Sequence, residues 1–129
     1  MNDQAIEQEI QDKGLTAPRI TPKDIESNIA SEYYFTADQG ARHAFLDAVA
    51  GNSEYNPDNF PPVDPELCLL TFCVLVLKNG FTVTGESACA SPENFDAELG
   101  RKIARQNAVA KIWPLLGFSL KQKLHEAAK

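Results

Sequence analysis

The densest set of reactive side chains in this 129-residue chain falls between Glu86 and Arg105. Glu86, Glu93, Asp96 and Glu98 could supply paired carboxylates for acid-base work or a magnesium site, as a metal-dependent hydrolase or nuclease would need. These positions also have a plainer use. Glu93, Asp96 and Glu98 sit where a helix start favours negative charge, and Glu98 can pair with Lys102 four residues on. Ser87 and Ser91 flank Cys89, but no Gly-x-Ser-x-Gly elbow surrounds them, and only His43 and His125 exist as bases. Cys68, Cys73 and Cys89 form no C-x-x-C pair and read as reduced thiols in apolar strand segments. No catalytic residue, metal ligand or cofactor is assigned.

Binding is better represented than catalysis. The stretch "TGESACASPENF" carries Thr84, Glu86, Ser87 and Ser91 into a helix start, whose free N–H groups favour an anion. Arg101, Lys102 and Arg105 make a one-sided basic strip that could grip the phosphates of a small nucleotide. No aromatic platform lies beside the strip, which speaks against a nucleic-acid groove. Tyr33, Tyr34 and Phe35 are an interface candidate, because three successive rings cannot all enter one core from one helix face.

Twelve Lys and Arg against 18 Asp and Glu give a formal charge of −6, which disfavours general adhesion to nucleic acid or anionic lipid. The polar N-terminus lacks the basic start and apolar centre of a secretory signal. "LCLLTFCVLVL" is too short for a membrane helix. A soluble, intracellular protein follows as the expectation. The length suits one domain burying about two-thirds of its unfolded surface.

The elements that must position these groups are read from caps, turns and periodicity. Residues 1–19 look weakly ordered, with room for a short helix anchored by Ile6 and Ile10, and residues 20–129 form the domain. Thr21, Pro22 and Asp24 start an amphipathic helix predicted to run to Phe35, on the recurrence of Ile25, Ile29 and Tyr33. Thr36 and Gln39 mark a second start, with Gly51 at the stop. Pro57, Pro61, Pro62 and Pro65 make 52–65 a loop.

Asn79-Gly80 predicts a hairpin with a two-residue type I′ turn. If Lys78 pairs with Phe81, then Phe72, Val74, Val76, Phe81 and Val83 face the core. Leu75 and Leu77 fall opposite, seeking a cover from another helix or a second copy, and are interface candidates. Gly85 marks a bulge or a close backbone approach. A long helix capped by Ser91 follows, ending at Pro114. It carries a stripe of Phe95, Leu99, Ile103, Ala110 and Trp113, with Trp113 in the core, and a strip of small residues at Gly100, Ala104 and Ala108. A short helix from Ser119 closes the chain. The fold class is α+β: an antiparallel β-hairpin packed by a long helix, with N-terminal helices and a short C-terminal helix.

The span "LTFCVLVLKNGFTVTGESACASPENFDAELGRKIARQNAVAKIWPLLGFSLKQKL" closely resembles the hallmark region of a family of small tailed-phage and prophage proteins, named for a gene-49 product and a gene-66 product of two enterobacterial phages. "ITPKDIESNIASEYYFTADQG" is similar to the opening segment of such proteins, while 41–65 is the least similar part. The resemblance implies a phage gene product in the host bacterial cytoplasm and carries with it no reaction, cofactor or site residue. The leading expectation is a non-enzymatic accessory protein that binds a host component, in host takeover or anti-defence, as a homo-oligomer. The alternatives are an oligomeric sponge for a nucleotide signal and the metal-dependent hydrolase or nuclease.

Overall fold

The computed structural model describes residues 2–52, 54 and 63–129. Four α-helices and three strands are described: α1 Asp3–Asp12, α2 Pro22–Ser27, β1 Ile29–Thr36, α3 Ala37–Ala48, β2 Leu70–Leu77, β3 Thr82–Ala88 and α4 Ala97–Ala127. The strands form one antiparallel sheet in the order β1-β2-β3, and α4 lies across β3 and β2. The architecture is α+β. Most of the proline-rich 52–65 window lies outside the described residues.

Two helix starts follow their caps. Thr21 Oγ1 accepts from Asp24 N at 3.2 Å while Thr21 N donates to Asp24 Oδ2 at 2.9 Å, a reciprocal capping box with Pro22 in the first turn. Thr36 and Gln39 form the second box at the head of α3. The predicted helix to Phe35 is corrected, however: α2 stops at Ser27 and Ile29–Thr36 is an edge strand. A recurrence of four is a multiple of two as well as a helical spacing, and a run rich in aromatic and β-branched residues beside an open strand settles as a strand.

The hairpin exists, but its turn differs from the predicted one. Leu77 N donates to Phe81 O and Gly80 N donates to Leu77 O, both at 2.8 Å, so Lys78, Asn79 and Gly80 form a three-residue loop. Gly80 alone in this loop takes a positive φ, +90°, after Asn79, whose Oδ1 accepts from Phe81 N. This is a type I turn closed by a glycine bulge. One extra loop residue slips the register by one, so the two faces of β2 are exchanged relative to β3, on which Val83 stays in the core as predicted. Leu75 pairs with Val83 and Cys73 with Gly85, while Val74 pairs with Thr84 and Phe72 with Glu86. Leu75 and Leu77 are therefore core residues, at 0% and 4% exposure, covered by α4 of the same chain. Phe72, Val74 and Val76 lie on the other face, only partly covered, and Phe81 is 56% exposed.

The buried core joins Ile25, Cys73, Leu75, Leu77, Val83, Ala104, Ala108 and Ile112. Its centre is the close approach of α4 to β3. A Cβ on Gly85 would stand 2.2 Å from Ala104 O and 2.3 Å from Ala108 N, so the small strip and the glycine require one another. The strip of small residues is thus the packed face. The stripe of larger residues is not, since Leu99 is 53% exposed and Ile103 39%, and Trp113 is half-buried at the core margin.

Both predicted ends of this helix are also corrected. Ser91 opens only a 3-10 turn, Pro92–Asn94, and the cap of α4 is Asp96, whose Oδ1 accepts from Leu99 N at 3.0 Å. At the far end α4 passes through Pro114 without a break, absorbing the segment predicted as a separate helix. Pro114 removes the bond that the Ala110 carbonyl would accept; both residues are exposed, so water can take that carbonyl.

Candidate functional surface

The face of the sheet away from α4 gathers the apolar groups that the core leaves over. β1 carries a bulge at Ala30, where the partners shift from Ile29↔Leu77 to Ser31↔Val76. From there Glu32, Tyr34 and Thr36 pair with Leu75, Cys73 and Thr71 on the α4 side, whereas Tyr33 pairs with Val74 and Phe35 with Phe72 on the open side. Tyr34 is half-buried beside Cys73, and burial pushes its phenol up to about 12. Tyr33, the neighbour, is 58% exposed. The strand thus splits the aromatic triplet between core and surface.

Phe35 and Phe72 hold their ring centroids 5.6 Å apart, tilted by 35°. α3 packs at this end of the face: Gly40 lies against the Phe35 ring, where a Cβ would sit 3.7 Å away. Val74, Val76 and Tyr33 continue the apolar strip, and Thr82, Thr84 and Glu86 of β3 give it a polar margin. A contiguous row of aromatic and branched side chains with a polar rim has the anatomy of a protein interface.

The predicted ligand residues do not share one constellation. Thr84 and Glu86 point to the open face from strand positions, not from a loop. Ser87 pairs with Thr71 on the α4 side, and Ser91, half-buried, accepts through its carbonyl from Cys89 Sγ at 3.2 Å. Arg101 and Lys102 are exposed on α4, with Lys102 Nζ 3.5 Å from Glu98. Arg105 is already engaged. Its two terminal nitrogens donate to Glu26 at 3.0 and 2.8 Å and its Nε donates to Glu32 at 2.8 Å. Its guanidinium holds the Glu26 carboxyl below the usual carboxylate range. The residue read as a phosphate grip is instead a tie between α4, α2 and β1.

Lys102 and Arg105 do line an open cleft of about 980 Å³ between α4, α2 and the start of α1, together with the carboxylates Asp3 and Glu26. Glu93 lies in the 3-10 turn, Asp96 caps α4 and Glu98 faces Lys102, so the acidic group is spread out. Among the described residues, no three or more His, Cys, Asp or Glu side chains gather in a way that could hold a metal ion. Among them also, no helix is long and apolar enough to cross a membrane.

Sequence reading missed Phe72, Val74 and Val76 as surface residues. A signal for them was present. A helix offering Gly100, Ala104 and Ala108 needs the smaller sheet row, Thr71, Cys73 and Gly85, beneath it, and that choice sends Phe72 and Val74 outward.

A helix-backed three-stranded antiparallel sheet whose second, apolar face is only partly covered by the described residues describes the class of protein. The chain belongs to the phage protein (N4 Gp49/phage Sf6 gene 66) family, whose model matches residues 20–124. No curated protein and no solved structure matches the chain.

Proposed function

We propose that this phage protein is a non-enzymatic accessory protein that acts in the host cytoplasm by binding a host protein, with the open sheet face as its docking surface. The observation that carries this reading is the apolar row Tyr33, Phe35, Phe72, Val74 and Val76, gathered on one face while the reactive side chains are dispersed over both. Such a row favours a partner that presents its own apolar strip, because burying it contributes about 25 cal/mol per Å² of apolar surface removed from water. Aromatic groups near the centre of such a patch tend to dominate the binding energy. Host takeover and suppression of a bacterial defence are both served by such a blocking contact.

The test is a photo-crosslinking side chain at position 74 in the tagged protein, expressed in infected cells. One defined host protein should crosslink, and Tyr33→Arg should abolish the product while leaving thermal unfolding unchanged. A product that persists at full yield in Tyr33→Arg, or a crosslink only to a second copy, sinks the reading.

A further inference from the structure

The two flanks of α4 are not alike. On the flank towards α2 and β1, Arg105 binds Glu26 and Glu32, and α1 is seated against Trp113, whose indole Nε1 donates to Asp3 Oδ2 at 3.3 Å. On the flank towards β3, Asn107 Nδ2 donates to Glu86 O at 2.7 Å. Leu99, Ile103, Ala110 and Phe118 stand whole helical turns before and after Asn107 and share its flank. That flank is apolar and wet: Leu99 keeps 53% exposure, Ile103 39% and Phe118 74%.

The strand beside this flank has an open edge. In the order β1-β2-β3, the outer edge of β3 pairs with no strand among the described residues. Leu77 N donates to Phe81 O, so alternate residues from Phe81 onward turn their backbone groups to β2, while Thr82, Thr84 and Glu86 turn theirs outward, where Asn107 meets Glu86 O. Proteins guard such edges with bulges, prolines and lysines. β1 has its bulge at Ala30 and the Arg105 fork on Glu32. β3 has no bulge, proline or lysine, its pairs with β2 run unbroken from Ala88 to Thr82, and Thr82, Thr84 and Glu86 are all exposed.

We infer that the β3 edge and the adjoining flank of α4 form a two-fold interface with a second copy of this chain, joining two sheets into one of six strands. The surface is complementary to itself. A two-fold axis at Thr84 pairs β3 antiparallel with its copy, so that Thr84 meets Thr84 and Thr82 meets Glu86, open backbone groups against open ones with no like charges opposite. Glu86 O keeps a second lone pair beside the Asn107 bond. α4 runs opposite to β3 directly above it, since Gly100 lies over Thr71, the pairing partner of Ser87, and Ala104 and Ala108 lie over Gly85. The same axis therefore sets the two α4 flanks side by side and antiparallel. Ile103 then faces the small Ala110, Leu99 faces towards Phe118, and the acidic start at Glu93 and Asp96 comes beside Lys121 of the copy. A foreign partner would have to supply a strand, an apolar helix flank and this charge order at the same spacing, whereas a second copy brings all three by symmetry. The open sheet face takes no part in this contact, and either surface can fail without the other.

Sedimentation equilibrium of the full-length chain should show a dimer by about 100 μM. Thr84→Pro removes an outward N–H and leaves the bonds to β2 in place, so it should keep the far-UV circular dichroism spectrum and raise the dimer Kd at least tenfold, on the order of the loss of one good contact. Ile103→Glu, on the exposed helix flank, should do the same by a route that leaves β3 untouched. Thr84→Cys in a Cys68→Ser background should oxidise to a covalent dimer, its two Cα atoms standing about 5.5 Å apart, while Cys68→Ser alone should not. A chain that stays monomeric up to about 100 μM overturns the inference. So does a dimer that folded Thr84→Pro or Ile103→Glu chains form at the wild-type Kd, or one in which Thr84→Cys fails to crosslink.

Discussion

Gly85 has no space for a side chain because the backbone of α4 occupies it. A Cβ there would stand 2.2 Å from Ala104 O, a contact that neither a rotamer change nor a flexible neighbour can relieve. Gly85→Ala must push α4 away from the sheet and should lose about 3 kcal/mol in urea unfolding, at the upper end of overpacking costs. Gly100→Ala makes the contrast: its Cβ would meet the Thr71 hydroxyl at 3.1 Å, a side chain able to shift. Its cost should be much smaller, offset by about 1 kcal/mol of regained helix propensity. Another residue-scale device is Glu7, whose carboxyl is lowered from 4.5 to about 2 by the hydrogen bond from Arg19 and then by that from Gln11. A depressed carboxylate stabilises the state that depresses it above its unfolded pKa, and that contribution is lost as pH falls. The seating of α1 should therefore be full above about pH 5 and weaken progressively towards pH 2, read by Trp113 emission, with Glu7→Gln abolishing this component of the titration.

At the scale of elements, the extra residue in the Lys78–Gly80 loop decides which side of the sheet is inside. Leu75 is fully buried under α4, whereas Val74 stands half-covered on the open face. Leu75→Ala should cost 2–5 kcal/mol, roughly, as a cavity in the core, and Val74→Ala only about 1 kcal/mol or less, by chemical denaturation. A two-residue turn would invert that order, so the pair of measurements reports the register directly. Two helix starts were legible because caps are local: Thr21 with Asp24 and Thr36 with Gln39 state their structure within four residues, whereas Ser91 and Asp96 offer competing caps five residues apart and only the second opens α4. The close approach at Gly85 and the small strip were legible for the same reason. What remained hidden depended on partners distant in sequence. β1 is a strand because β2 lies beside it, a fact that no spacing inside Ile29–Thr36 contains. The loop length at Asn79-Gly80 was hidden because glycine serves a type I′ turn and a glycine bulge equally well. Of the aromatic triplet, Tyr33 and Phe35 lie on the open face and Tyr34 on the α4 side, while Leu75 and Leu77 give way there to Phe72, Val74 and Val76 once the register is known.

Over the whole molecule, the consecutive elements α2 and β1 meet the distant helix α4 at one cation. Arg105 of α4 binds Glu26 of α2 and Glu32 of β1, all three side chains keeping 29–55% exposure, so water screens the charges and the pairs should not be valued as buried ones. Their worth lies in geometry: a bidentate fork to one carboxylate and a third bond to another fix α2 and the edge strand relative to the helix. Arg105→Ala should cost about 1–2 kcal/mol, counting the lost contact of its stem with neighbouring groups as well as the ion pairs. Arg105→Lys should recover only part of this, because an ammonium cannot reproduce the fork. The cost should shrink in 1 M salt, where the screening length falls to about 3 Å, whereas that of Leu75→Ala should hold. Because Arg105 lies on the opposite side of the sheet from Tyr33 and Phe35, Arg105→Ala should also leave partner binding by the open face intact at temperatures where the fold persists. Loss of that binding in a folded Arg105→Ala chain would instead show that the tie helps to set the shape of the docking face through β1.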